Sequence, residues 1–206
     1  MTSHIYFHLL MVSMPFLTPV IYGHRQNCQY PSRGNDIQWE KLEGKTFYES
    51  MNDGDAISAD VACMKVHNFT KVEDGVEATF EKYLFRSPDK PDVVRLHAQK
   101  VRRGFYMLDK NTDSAMMRDM EEEDGPINEK AVREYVEVMS ADLEFQVTDY
   151  ENYFIVVRCA EEGRWYVRPF TKRPVPTAED VLRIWRALYK NGIDQPLFMS
   201  HCSDVL

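Results

Sequence analysis

Residues 148–159 read TDYENYFIVVRC, an acidic and polar corner followed by an apolar run that ends at a cysteine. The corner supplies hydrogen-bond partners for a turn, and Asn152 is a residue type that tolerates a positive φ. The run from Tyr153 to Cys159 has the length and composition of a strand. We therefore predict a tight hairpin at the rim of a closed barrel, with Cys159 bonded to another part of the chain.

Segments with similar alternation occur along most of the chain, separated by turn signals such as Glu73-Asp74-Gly75. Residues 87–91 contain two prolines, which predicts a loop, and residues 114–120 fit either a strand or a helical turn. The predicted strands are 45–51, 59–69, 76–85, 93–101, 131–139, 143–147, 153–159 and 165–171, and 105–108 also has β character. About eight short strands without crossover helices predict an all-β fold, an eight-stranded antiparallel up-and-down barrel. A closed barrel of this size can enclose one small ligand.

One helix is predicted near the C-terminus, from about Ala178 to Lys190. Thr177 is the N-cap candidate and Gly192 the stop signal. The apolar residues at helical spacing, which we expect to lie on the sheet, are Val181, Leu182, Trp185, Leu188 and Tyr189. Pro169, in the last predicted strand, indicates an exposed edge or a bulge.

Composition restricts the possible functions of the chain. It has 206 residues and a net charge of −8, which disfavours binding to nucleic acid and to anionic membrane surfaces. Residues 1–23 contain no charged side chain and include a short apolar run before Gly23, so we interpret them as a secretory signal peptide rather than a membrane anchor. Residues 24–206 would then form one secreted, extracellular domain without a membrane span.

All four cysteines, Cys28, Cys63, Cys159 and Cys202, fall in that predicted domain. An even number of cysteines in a secreted chain predicts two disulfides, and the residues alone allow three pairings. The triplet Asn68-Phe69-Thr70 is a glycosylation signal, which would place Asn68 on the surface of a glycoprotein.

The corner TDYENY, the apolar strand up to Cys159 and the stretch FTKRP at 170–174 together resemble motifs of the lipocalins. The corner is similar to the version found in apolipoprotein D and in divergent secreted arthropod lipocalins such as those of ticks. The stretch WEKLEGKTFY at 39–48 is similar to the first lipocalin motif, although Gly44 is followed by Lys45 and Thr46 where that motif has a tryptophan. The arginine of the third motif corresponds to Lys172 or Arg173. The resemblance implies that Cys28 pairs with Cys159 and Cys63 with Cys202.

Ligand binding requires a cavity lined by apolar and aromatic groups. The candidate ligand-binding residues, each of which could instead fill the core, are Phe80, Tyr135, Phe145, Phe154, Tyr166 and Phe170. Four carboxylates also lie on predicted strands, namely Glu77, Glu81, Glu134 and Glu137. An inward-facing carboxylate would suit a cationic ligand such as a biogenic amine, whereas outward-facing ones would favour a fatty acid, a sterol, a pigment or another lipid.

No nucleophile or metal-binding motif with catalytic spacing is present in the sequence, so we predict a protein that is not an enzyme, with no cofactor and no bound metal. The leading hypothesis is a secreted lipocalin that carries or sequesters a small hydrophobic or amphipathic ligand. The first alternative is an inhibitory lipocalin that binds a protein partner through its open-end loops, motivated by the long insert at 105–128. The second alternative, an isomerase, would require a free thiol inside the barrel.

Overall fold

The structure is a computed structural model that describes residues 28–32, 34–54, 59–108, 143–159 and 163–206. A short 3-10 turn, Trp39–Lys41, precedes the strands. The strands are β1 (Phe47–Glu49), β2 (Met51–Asn52), β3 (Val61–Val72), β4 (Gly75–Leu84), β5 (Ser87–Arg102), β6 (Phe105–Leu108), β7 (Glu144–Thr148), β8 (Tyr153–Cys159), β9 (Trp165–Thr171) and β10 (Phe198–Met199). The helices are α1 (Ala178–Lys190) and α2 (Cys202–Val205), and no helix in the described part of the chain is long and apolar enough to cross a membrane.

The described strands form a closed barrel in the order β1-β3-β4-β5-β6-β7-β8-β9, and every pairing in it is antiparallel. Strand β1 closes the barrel by pairing with both β3 and β9, while β2 and β10 form a separate two-stranded ribbon. This confirms the predicted eight-stranded up-and-down barrel. The predicted strand 131–139, the ambiguous segment 114–120 and most of the 105–128 insert lie outside the described residues.

The corner before β8 is organised by one carboxylate. Oδ1 of Asp149 accepts hydrogen bonds from the backbone N–H groups of Glu151, Asn152 and Tyr153 at 3.0, 2.7 and 3.2 Å. Oδ2 accepts a fourth hydrogen bond, from Nδ2 of Asn152, at 2.7 Å. The residue with positive φ is Tyr150, at 69°, so the assignment of that role to Asn152 was wrong. These four hydrogen bonds fix the turn and stabilise Tyr150 in a backbone conformation that asparagine or glycine adopts more readily than tyrosine.

The prediction of a loop at 87–91 was wrong, because β5 begins at Ser87 and continues through both prolines. In the β4–β5 ladder, Leu84 pairs with Ser87 and Lys82 with Asp92, so two steps along β4 correspond to five steps along β5. Proline cannot donate a backbone hydrogen bond, so within a sheet it is tolerated where the regular pairing is interrupted. Both prolines of β5 lie within such an interruption. Pro169 lies just beyond the β1–β9 ladder, which ends at Phe170, so this ladder does not need a backbone N–H from residue 169.

The predicted bounds of helix α1 are confirmed. Thr177 and Asp180 form a reciprocal capping box at its start, and Gly192, with φ of 72°, follows its last turn. The buried face carries Ile184, Ala187 and Leu188, whereas the side chains of Leu182 and Tyr189 are exposed. The predicted apolar stripe was therefore right at Leu188 and wrong at Leu182 and Tyr189. The helix has apolar residues on more than one side, and what it packs against decides which of them are buried.

Two cores lie on opposite sides of the barrel wall. The inner core, inside the barrel, includes Trp39, Phe47, Val66, Phe154 and Phe170. The outer core lies between the outer surface of β7–β9, helix α1 and the N-terminal arm, and includes Phe105, Phe145, Ile155, Trp165 and Ile184. Alternate residues of one strand therefore enter different cores, as the twofold period of a strand requires.

Two disulfides hold the ends of the described chain to the barrel. Cys28 is bonded to Cys159 and Cys63 to Cys202, the pairing that the lipocalin resemblance implied. The first bond brings the N-terminal arm to the end of β8, where the hydroxyl of Tyr30 accepts a hydrogen bond of 2.8 Å from the backbone N–H of Cys159. The second bond holds α2 against β3.

Candidate functional site

The barrel encloses a cavity of about 70 Å³. That volume has room for roughly five water molecules, so a ligand group of that size fits inside it. Most of the wall is apolar. The apolar lining residues are Trp39, Met64, Phe69, Val76, Ala78, Phe80, Val94, Leu96, Ala98, Leu108, Phe154, Val156 and Phe170.

Aromatic rings fill the end of the cavity closed by the 3-10 turn. The indole of Trp39 packs against Phe69, Tyr106 and Phe154, with ring centroids 6.3, 5.2 and 6.2 Å apart. Tyr106 is almost wholly buried there, and burial raises the pKa of its hydroxyl, which therefore stays neutral. This floor offers a ligand a rigid, uncharged surface.

The opposite half of the cavity carries charge. Glu144 and Arg158 are both buried and adjacent on paired strands, and Nε of Arg158 donates to Oε1 of Glu144 at 3.0 Å. Nη1 of Arg168 donates to Oε1 of the buried Glu49 at 2.9 Å. Lys82, on β4, is a further charged residue of the described lining.

Gln146 is the neutral polar member of this wall. It is 5 % exposed and lines the cavity between Glu144 and the aromatic floor. Its Nε2 donates to Oε2 of Glu144 at 2.9 Å, whereas its buried Oε1 has no hydrogen-bond partner among the described residues. A buried acceptor of this kind is satisfied by a donor from water or from a ligand.

Of the six predicted ligand-binding residues, Phe80, Phe154 and Phe170 line the cavity. Phe145 lies in the outer core instead, because it alternates with the inward-facing Glu144 and Gln146. Tyr166 has the same strand parity as the inward-facing Arg168 but does not line the cavity, and the Arg164 guanidinium lies 5.3 Å from its ring centroid. Tyr135 lies outside the described residues. A ligand-binding role for the three lining phenylalanines stays a prediction.

The predicted strand carboxylates that are described, Glu77 and Glu81, alternate with the inward-facing Ala78 and Phe80 and therefore lie on the outside of β4. Burial opposes ionisation of Glu81, but hydrogen bonds from Lys65 and Tyr83 lower its pKa below the ordinary value. The same environment raises the pKa of Tyr83 to about 12. Glu134 and Glu137 lie outside the described residues.

Sequence reasoning missed the charged half of the cavity. The alternation Phe154, Val156, Arg158 on β8 places an arginine in register with inward-facing apolar residues. The position of this arginine in a series of inward-facing residues was the signal that sequence analysis could have used. It was overlooked because charged side chains on strands usually face the solvent. The aromatic floor at Trp39 and Phe69 was missed because a 3-10 turn and a register shift in β3 position those rings.

Neither of two common catalytic resources is present in the described residues. All four cysteines are in disulfides, so the thiol that the isomerase alternative needs is not free. No group of three or more His, Cys, Asp or Glu side chains that could hold a metal ion occurs in the described ranges.

The geometry of the barrel matches solved structures. The structure of the major allergen Per a 4 from cockroaches aligns with a TM-score of 0.54 at 13 % identity, covering 87 % of this chain and 99 % of that one. The chain has a lipocalin-type fold. The siderocalin Ex-FABP aligns with a TM-score of 0.48 at 10 % identity, over 78 % of this chain and 93 % of that one. No protein-family model and no curated protein sequence matches the chain.

Proposed function

We propose that this protein is a secreted, extracellular carrier that binds or sequesters a small hydrophobic or amphipathic ligand inside the barrel. The observation that carries the proposal is the cavity, which is walled by apolar side chains and floored by aromatic rings. Burial of an apolar ligand surface there is favourable by about 25 cal/mol per Å². The two disulfides are consistent with an oxidising, extracellular environment.

The position of Trp39 offers a direct test. Trp39 lines the cavity, whereas Trp165 lies in the outer core on the far side of the wall. A ligand that enters the barrel should therefore change the fluorescence of Trp39 and leave that of Trp165 nearly unchanged.

The experiment has two parts: displacement of a bound fluorescent fatty-acid probe by unlabelled octanoate, and the change in tryptophan emission when octanoate alone is added to the protein. We expect saturable displacement and a change in tryptophan emission caused by contact of octanoate with Trp39. Trp39→Phe should keep probe binding but lose most of the tryptophan signal, whereas Trp165→Phe should retain it. A folded protein that takes up no displaceable probe, or a signal that survives in Trp39→Phe, would contradict the proposal.

A further inference from the structure

We propose that Gln146 selects small aromatic ligands that carry a hydrogen-bond donor, an O–H or N–H group. The ring of the ligand packs on the aromatic floor, and its donor is directed at Oε1 of Gln146. The inference rests on the proposed function and adds the chemical class of the ligand and the residue that recognises it. It follows from the hydrogen bonds that orient the Gln146 amide and from the position of this amide relative to the floor.

The orientation of the Gln146 amide is fixed by its neighbour on the inner face of β7. Nε2 of Gln146 donates to Oε2 of Glu144 at 2.9 Å. Nε of Arg158 donates to the other carboxylate oxygen, Oε1 of Glu144, at 3.0 Å, which leaves Oε2 as the acceptor for the amide. An ionised carboxylate accepts hydrogen bonds and donates none. The NH2 end of the amide therefore faces Glu144, and the amide oxygen faces away from it.

Oε1 of Gln146 is a fixed acceptor in the cavity wall. Gln146 lines the cavity and is 5 % exposed, and its Oε1 has no hydrogen-bond partner among the residues that the structure describes. A buried acceptor without a donor is costly, so a ligand that supplies a donor gains affinity, whereas a ligand group that can only accept gains none. The hydrogen bond from Nε2 to the carboxylate also polarises the amide, which makes Oε1 a stronger acceptor.

The strand register places this acceptor one layer away from the aromatic floor. Gln146 pairs with Val156, and Thr148, two residues farther along β7, pairs with Phe154 of the floor. Two residues span about 7 Å along a strand, which is close to the size of one aromatic ring. A ring that packs on Trp39 and Phe154 therefore brings a substituent on its far side to the level of Oε1.

The composition of the floor and the volume of the cavity both favour a ring. Aromatic rings gain more from contact with one another than their buried area alone provides, when they pack edge to face or offset. The cavity of about 70 Å³ has room for roughly five water molecules, which together have the bulk of one benzene-sized molecule. One ring with a small substituent therefore matches the space between the floor and Gln146.

The test compares p-cresol with anisole as competitors of the bound fluorescent fatty-acid probe. The two compounds are isomers, each with one ring, one oxygen and one further carbon, but only p-cresol has an O–H donor. We expect p-cresol to bind the wild-type protein about fivefold more tightly than anisole, the size of effect typical of one hydrogen bond to a buried acceptor.

One variant removes the acceptor. Gln146→Met keeps an unbranched side chain of similar length without the amide oxygen. The preference for p-cresol over anisole should fall to within about twofold, because the hydrogen bond to Oε1 is lost while the ring contacts remain. Gln99→Met is the matched control, since Nε2 of Gln99 also donates to a carboxylate oxygen, Oδ2 of Asp74, at 3.2 Å. Gln99 is exposed and does not line the cavity, so this variant should keep the wild-type preference.

The outcomes separate the two proposals. Equal displacement by p-cresol and anisole in the wild type, or an unchanged preference in Gln146→Met, would overturn the role of Gln146 and leave the carrier function standing. The same holds if neither compound displaces the probe while octanoate does. Failure of octanoate and both aromatic compounds, with the barrel folded, would overturn both proposals. If Gln146→Met does not fold, the comparison of the two isomers in the wild type still decides the inference.

Discussion

The Asp149 carboxylate, which accepts four hydrogen bonds at the corner before β8, should be a principal local source of stability. Asp149→Ala would leave three backbone N–H groups of the turn and the Asn152 amide without this acceptor. Its side chain is 29 % exposed, so water would satisfy some of the released donors. With about 0.5–1.5 kcal/mol for a typical hydrogen bond and more for a charged acceptor, we expect a loss of about 3 kcal/mol. For a chain of this size that corresponds to a Tm lower by about 6–12 °C.

The pH dependence provides the second part of this prediction. Burial opposes ionisation of Asp149, but the hydrogen bonds from Asn152, Tyr153 and Glu151 lower its pKa below the ordinary value. Because the folded-state pKa lies below that of the unfolded chain, this stabilisation is present above about pH 4 and is lost as the pH falls through the folded-state value. The stabilities of wild type and Asp149→Ala should therefore converge in acid.

Urea denaturation at pH 7 and at several acidic pH values measures both effects. Glu151→Ala is the matched control, since the Glu151 side chain is 68 % exposed and forms a surface ion pair with Lys45, which typically contributes 0–1 kcal/mol. The reasoning would be refuted if Asp149→Ala were no less stable than Glu151→Ala at pH 7. It would also fail if the difference between wild type and Asp149→Ala persisted unchanged in acid.

Three further predictions concern the cavity, the arm and the surface. Ala78→Phe should fill the cavity and weaken probe binding at least tenfold in the displacement assay, at a cost of about 1–3 kcal/mol in the free energy of unfolding. Thr79→Phe, on the outer face of β4, should retain probe binding in the same assay. Replacement of Cys28 and Cys159 by serine opens a loop that the disulfide closes over a separation of 131 residues. The free energy of unfolding should fall by about 2–4 kcal/mol, which would lower the urea midpoint, and an unchanged midpoint would be the contrary result. Asn68, exposed with φ of 53°, should carry a glycan after expression through a secretory pathway, so Asn68→Asp should abolish the mass shift that a glycosidase produces in the wild type.

Much of the fold could be predicted from the sequence because its signals are local. The bounds of β8, β9 and α1 coincide with the predicted ones, since turn chemistry, alternation and helix caps each involve residues a few positions apart. The disulfide partners could not be predicted from local signals. Four cysteines allow three pairings, and only the resemblance to a family selected one of them.

The candidate site depended more strongly on tertiary structure. Alternation shows that Phe145 and Gln146 occupy opposite faces of a strand, but which face lies inside the barrel depends on how the sheet curves and on what covers its outside. Helix α1 and the N-terminal arm cover the outer face of β7–β9, so Phe145 is buried away from the cavity.

The amino-acid sequence was sufficient for the antiparallel order of strands, the terminal helix and the polar corner at Asp149, because neighbours along the chain produce them. The charged half of the cavity and the rotation of α1 required the folded chain. In both features the free energy comes from groups distant in sequence, whose contacts exist only after the barrel has closed.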